Sequence, residues 1–232
     1  MKTSFWSRLL DLLSPRLCTV CGQRLSLSEL SLCQRCYLHL PRTGFALSPD
    51  DNEMARLFWG LLPIERAAAL FYYEPQSEAA RLVYDLKYHN HPDIGTDIGR
   101  MMAAELQPTG FFEGIDALIP VPLARKRQRQ RGYNQSECIA RGISEITHLP
   151  IVTNAVGRTR FDESQTGLSR WSRQTNVEAR FTARETGQLE HCHVLLIDDV
   201  CTTGATLTAC AHPLLAVPGI RFSILTLGMT RG

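Results

Sequence analysis

Nowhere does this chain hold an apolar run near the length, about twenty residues, that a membrane-spanning helix requires. Its opening stretch, MKTSFWSRLLDLLSPRLC, interrupts its hydrophobic residues with Arg8 and Asp11 and shows no small-residue cleavage site. Neither a spanning segment nor a secretory leader is therefore expected there. Phe5, Trp6, Leu9, Leu10 and Leu13 fall on one face of a short helix, expected to dock on the protein rather than on a membrane. The fingerprints G-x-x-x-x-G-K-[ST] and G-x-G-x-x-G are missing, which counts against a nucleoside triphosphatase or a dinucleotide enzyme. Internal repeats, low-complexity segments and a large net charge are lacking too, the formal balance being +2. These absences leave the expectation of a cytoplasmic globular protein without membrane insertion.

What is present suits one main α/β domain with a small appendage: 232 residues, 44% apolar and 21% charged. The small net charge conceals a local excess, since RKRQRQR at 125–131 carries five cations in seven positions.

Eight cysteines in a cytoplasmic chain do not read as four disulfides. Cys18, Cys21, Cys33 and Cys36 form C-x2-C-x11-C-x2-C, two tight turns whose thiolates can meet on one tetrahedral ion. Zn²⁺ with four sulfurs keeps no open position, so the expected site is structural, and metal binding explains how a segment with so little core folds. A redox pair and plain buried cysteines are the competing readings. Cys138, Cys192 and Cys210 read as small buried hydrophobes, whereas Cys201, beside a polar loop, is expected to be accessible.

Residues 41–63, with Pro, Gly, Ser and acidic residues around ALSPDDNEM, read as a connection. AAALFYY reads as a strand. Helical periods follow in SEAARLVYDLKYH and over 94–106, then a short strand in DALIPVPL and a helix over 134–147. Residues 157–180 are polar and aperiodic, as a functional loop is. HVLLIDDV and IRFSILTL are near-continuous apolar strands around a helix beginning near Gly204, which Pro213 should end or kink. Strands apolar on both faces, alternating with helices, predict a mostly parallel sheet covered on both sides.

Asp198 and Asp199 end one such strand, and CTTGAT leads into the next helix. Ligands of open α/β sheets bind beyond the carboxyl ends of the strands. Backbone N–H groups of that turn, with Thr202, Thr203 and Thr206, form an anion cradle, and Gly204 lets the backbone approach a phosphate. The carboxylates must face hydrogen-bond donors or a cation, such as a ribose diol or Mg²⁺. Together these describe a ribose 5-phosphate ligand. The competing structural account has one Asp capping the helix and the other solvated.

LLIDDVCTTGATL resembles the phosphoribosyl pyrophosphate (PRPP) loop of type I phosphoribosyltransferases. Taken with the four cysteines, IPVPLARKRQRQRGYNQS at 119–136 and GRTRFDESQTGLSRWSRQTNV at 157–177, the chain resembles the competence protein F (ComF/GntX) family. The resemblance covers nearly the whole chain. It implies a type I phosphoribosyltransferase-like, mostly parallel sheet covered by helices over 61–232, and a small zinc-binding module and connection over 1–60. It implies that Asp198 and Asp199 hold the ribose hydroxyls, and that Cys201, Thr202, Thr203, Gly204, Ala205 and Thr206 form the PRPP loop. Arg127 and Arg131 would meet pyrophosphate, Arg131 with the two aspartates making the catalytic set. Arg158, Gln165, Arg173 and Asn176 would belong to a loop closing over the site.

Two functions are open on this reading. One is Mg²⁺-dependent phosphoribosyl transfer from PRPP to an acceptor that the residues do not identify, in a protein linked to DNA uptake and utilisation (competence). The other is a non-catalytic single-stranded-DNA-binding accessory protein, its PRPP site regulatory or vestigial, working with DNA-uptake and processing proteins. Five cations exceed the need of one pyrophosphate, so a nucleic-acid backbone is a second candidate partner, with Tyr133 and Trp171 as stacking surfaces, the competing account being a solvated charged face. Lys87, Tyr88, His89 and His91 form a further polar cluster with no assigned role.

Overall fold

Strands buried on both faces need cover on both sides, and the sheet is built accordingly. The computed structural model describes residues 15–88, 91–158 and 181–231. Four strands, β1 (Ile64–Tyr72), β2 (Ala117–Pro120), β5 (His193–Cys201) and β6 (Arg221–Met229), form one sheet in the order β1-β6-β5-β2. Every pairing within it is parallel. The interior strands β5 and β6 are the two most continuously apolar segments, and fourteen of their eighteen residues are buried. Beyond β2, Ile151 adds a single parallel bridge to Leu118. A separate antiparallel pair, β3 (Val156–Arg158) with β4 (Phe181–Ala183), flanks the polar stretch between them.

The helices cover this sheet. They are α1 (Gln34–His39), α2 (Glu53–Arg56), α3 (Glu78–Tyr88), α4 (Pro92–Leu106), α5 (Arg125–Arg131), α6 (Gln135–Thr147) and α7 (Ala205–Ala211). Helix α6 lies on β2 and β5 and packs along α4. That helix pair approaches closely because glycines face each other: a Cβ on Gly142 would lie 2.0 Å from the Thr96 carbonyl oxygen, and one on Gly99 2.1 Å from that of Ile139. Helix α7 stops at Ala211 and passes into a 3-10 turn, His212–Ala216, in whose first turn Pro213 sits, as its missing N–H predicts.

Residues 41–63 differ from the expectation of a mere connection. They contain α2 and a 3-10 turn, Phe45–Leu47, both packed on β1. Met54, Ala55 and Phe58 are fully buried. The buried Asn52 caps α2 by accepting from Met54 N–H and Ala55 N–H, while its Nδ2 donates to the Ser48 and Ala67 carbonyls. Asn52 thus satisfies a helix start and stitches the stretch to the sheet, a use of a polar residue that composition alone reads as a loop.

The cysteine module is seated on α3 and α4 by polar contacts. Ser31 Oγ donates to Asp97 at 2.6 Å, Tyr37 donates to Glu105, Arg42 pairs with the same Glu105, and Arg81 donates to the Val20 carbonyl. Among the described residues no helix is long and apolar enough to cross a membrane.

Candidate functional site: an acidic strand end facing a basic helix

Parallel pairing of β2 with β5 brings the residues after both strands to the same sheet edge. There Asp198, Asp199 and Thr206 meet Lys87 from α3, Arg127 and Arg131 from α5, and Arg158 from β3 around a cavity of about 150 Å³. A second cavity of about 460 Å³ shares Lys87, Arg127 and Arg131 with the first and adds Tyr88 and Gln130. The basic run at 125–131 is a helix, closed by Gly132 in the left-handed conformation (φ 78°). Lys126, Arg127, Gln128, Arg129 and Gln130 are exposed on it.

The two aspartates are held differently. Asp198 Oδ1 accepts from Ser136 Oγ at 3.0 Å and from the Asp199 N–H at 2.9 Å. Asp199 Oδ2 pairs with Lys87 Nζ at 3.1 Å, and its Oδ1 accepts from the Val200 N–H at 2.7 Å. Burial, then the neighbouring Asp199 charge, push the Asp198 carboxyl up to about 7, although the Asp199 N–H, the Ser136 hydroxyl and the Lys87 ammonium pull it down. Two carboxylates side by side at the bottom of a cleft call for hydrogen-bond donors or a cation.

The opposite wall has the complementary need. Burial, then Arg127 close by, push the Arg158 guanidinium down, and its planar group stacks 5.2 Å from the centre of the Phe181 ring. Arg131 donates to Gln135 Oε1 at 2.9 Å. Gln135 itself is buried, lines the cleft, and its Nε2 has no hydrogen-bond partner among the described residues. An unmet buried donor costs roughly 1–3 kcal/mol, so its retention beside three arginines is what an anionic ligand would compensate.

The turn after β5 exposes Thr202, Thr203, Ala205 and Thr206. Gly204 has φ 75°, and a Cβ there would lie 2.9 Å from Phe58 Cε1. Glycine is therefore required both by the left-handed backbone and by the buried phenyl ring behind it. Cys201 departs from the expectation of an accessible thiol. Its side chain is buried, and burial pushes that thiol up to about 12, so it contributes no group to the cleft. Cys201 still lies within β5, paired with the buried Met229 of β6, so its side chain is packed in the core. Cys138 and Cys210 are buried as expected, and Cys192 is half-buried. Gln165, Trp171, Arg173 and Asn176 lie outside the described residues.

Four residues that sequence reasoning left without a role enter the site: Lys87, Tyr88, Gln135 and Ser136. Ser136 and Gln135 start α6, where Asn134 caps by accepting from the Ser136 N–H at 3.2 Å. A capped helix start pointing at a strand end was a usable signal; the Lys87 to Asp199 pairing, 112 positions apart, was not. Tyr133, expected as a stacking surface, donates its hydroxyl to the Leu86 carbonyl at 2.7 Å and is half-buried.

In the N-terminal module, Cys18, Cys21, Cys33 and Cys36 place their four sulfurs within 4.8 Å of one another, with no disulfide among them. The Cys21 and Cys33 sulfurs are 3.7 Å apart, close to the ~3.8 Å edge of a tetrahedron with metal–sulfur bonds of about 2.3 Å. Burial opposes ionisation of Cys18, but N–H groups of Cys33, Cys21 and Val20 bring it down to about 7, while burial pushes Cys36 up. Four thiolates so close need a cation at their centre, so the cluster fits a metal such as zinc.

Sheet, strand-end aspartates, threonine-rich turn and basic wall together define the class: an α/β protein with a parallel sheet, a polar cleft at the end of β5 and a four-cysteine module. No family model matches the chain. It is 28% identical over 211 residues to DNA utilization protein YhgH of Shigella flexneri, covering 87% of this chain and 91% of that protein. It is 33% identical over 140 residues to competence protein F of Haemophilus influenzae, covering 59% and 60%. Among solved structures, the glutamine PRPP amidotransferase from B. subtilis complexed with ADP and GMP is similar at 19% identity and TM-score 0.40. That match covers 60% of this chain and 30% of the amidotransferase. The chain is thus similar over most of its length to DNA utilization proteins and over part of it to competence protein F.

Proposed function

We propose that the protein binds PRPP with Mg²⁺ in the cleft at the end of β5, and that it serves DNA utilisation as its relatives' names describe. The observation that carries this reading is the opposition, across one cavity, of two adjacent carboxylates and three arginines, with an exposed threonine turn alongside. Asp198 and Asp199 accept hydrogen bonds from the ribose hydroxyls. Thr202, Thr203 and Thr206, with the N–H groups around Gly204, take the 5-phosphate. Arg127, Arg131 and Arg158 take the pyrophosphate, where fixed multidentate donors stabilise a leaving group as positive charge develops at the ribose carbon. Mg²⁺ arriving with PRPP would supply further positive charge against the pyrophosphate. Ligand entry also exchanges the Lys87 to Asp199 ion pair for ribose contacts and frees the ammonium for the anion. Zn²⁺ on the four cysteines holds the N-terminal module as a structural ion.

A second reading is favoured by a specific feature. Lys126 and Arg129 are exposed on α5 but line neither cavity. Cations outside the cleft suit a phosphate backbone running past it, as in a single-stranded-DNA-binding accessory protein.

The test is ³¹P NMR of PRPP and Mg²⁺ with wild-type protein beside the Asp198→Asn/Asp199→Asn variant, with a panel of bases and amines. PRPP signals shifted only by wild type support the site, and pyrophosphate released only with an acceptor makes it a transferase. Identical spectra with both proteins overturn the reading.

A further inference from the structure

The end of α3 carries a feature that PRPP binding leaves unused. Tyr84 and Tyr88, one helical turn apart, expose 55% and 60% of their surface. Their rings lie 4.7 Å apart and tilted by 40°. The Arg131 guanidinium sits 5.3 Å from the centre of the Tyr88 ring. Tyr88 lines the larger cavity with Arg127, Gln130 and Arg131, and that cavity adjoins the aspartate cleft through Lys87, Arg127 and Arg131. An exposed aromatic face is a surface on which a planar group such as a base can stack. Here the covering group is a planar cation that can move to a phosphate.

We propose that Tyr88, backed by Tyr84, is a stacking platform for a nucleobase, and that Arg127 and Arg131 hold the phosphate attached to it. The ligand is a nucleotide unit, either free or within a single strand. The base takes the face of Tyr88 over which Arg131 now lies, and the guanidinium turns to the phosphate, exchanging a cation–π contact for a charge-assisted hydrogen bond. Stacking supplies affinity without reading sequence, and arginines supply the salt-dependent part. The inference shares Arg127 and Arg131 with the proposed PRPP reading, so the nucleotide phosphate and pyrophosphate compete for them; the platform itself stands on α3 and α5.

The test uses the full-length protein and three probes: a fluorescent oligo-dT strand, the same strand with abasic sugars, and deoxythymidine monophosphate. Wild type should bind oligo-dT more tightly than the abasic strand. Tyr88→Ala should weaken oligo-dT binding at least about fivefold and the abasic strand far less, while Tyr88→Trp keeps the preference for bases. Arg131→Ala should weaken both strands. Monophosphate binding that is lost in Tyr88→Ala assigns the site to a free nucleotide; binding only of oligo-dT assigns it to a strand. A wild type that treats both strands alike, or a Tyr88→Ala protein with an unchanged ratio between them, overturns the proposal. PRPP binding by wild type, measured on the same preparation, reports separately on the cleft: its absence with the base preference intact sinks the PRPP reading and leaves the platform standing.

Discussion

Asp198 should make the folded protein less stable as pH rises, and replacing it should remove that dependence. Its carboxyl titrates at about 7 instead of 3.8, because burial and Asp199 disfavour its charge. Between those values the folded chain holds a proton that the unfolded chain has lost, so the slope of unfolding free energy with pH is negative. The contribution is fully present below pH 3.8 and is lost as pH passes through 7. Each pH unit is worth about 1.4 kcal/mol, so from pH 5 to pH 8 wild type gives up ~3 kcal/mol at this residue. In Asp198→Asn the side-chain oxygen still accepts from Ser136 and from the Asp199 N–H, but no charge forms. The variant should therefore gain stability over wild type with rising pH, by ~3 kcal/mol across that interval, or about 6–12 °C in Tm for a chain of this size. Urea denaturation in Mg²⁺-free, PRPP-free buffer at pH 5, 6, 7 and 8 measures it. Parallel curves for the two proteins would refute the account of Asp198 as a strained acid. The same substitution should abolish PRPP binding, making a stability gain the counterpart of a functional loss.

Lys87→Met removes the ammonium 3.1 Å from Asp199 and should raise the Asp198 titration above its wild-type value, read by carbon NMR of the carboxyls; an unmoved titration would show that Lys87 does not set the field of the cleft. Gly204→Ala meets both φ 75° and the ring of Phe58, so it should lower stability by about 1–3 kcal/mol in urea and weaken PRPP binding; a neutral effect would mean the turn is free to move. Stripping metal with a strong chelator should release one zinc per chain, read by elemental analysis, and expose the amides of residues 18–36 to hydrogen exchange, while β5 and β6 keep their protection. Unchanged exchange in a metal-free preparation would show that the cysteine module folds without an ion.

Much of the architecture was legible in local pattern. The apolar runs of β5 and β6, the helical periods of α3, α4 and α6, and the break at Pro213 each lie within one segment, where side-chain period and backbone chemistry act directly. The cysteine spacing likewise predicted a cluster of four sulfurs, since two tight turns leave thiols little else to face. Asp198 and Asp199 were marked by charge at the tip of an apolar strand. Less legible was anything that tertiary packing decided near polar segments: Asn52 looked like loop and proved to be a buried cap, and Cys201 looked accessible beside a polar turn but is packed beside Met229 of β6.

The sequence by itself determined the main strands and the long helices, where the cysteines gather and which strand ends in acid, because propensity, period and turn chemistry operate over a few neighbouring residues. The tertiary structure alone decided that Lys87 answers Asp199, that Ser136 holds Asp198, that Phe58 backs Gly204 and that Arg131 covers Tyr88. Those partners are set by the order β1-β6-β5-β2 and by the packing of α3, α5 and α6 around it. Such an arrangement is chosen by burying all apolar faces at once, a condition on the whole chain that no single segment contains.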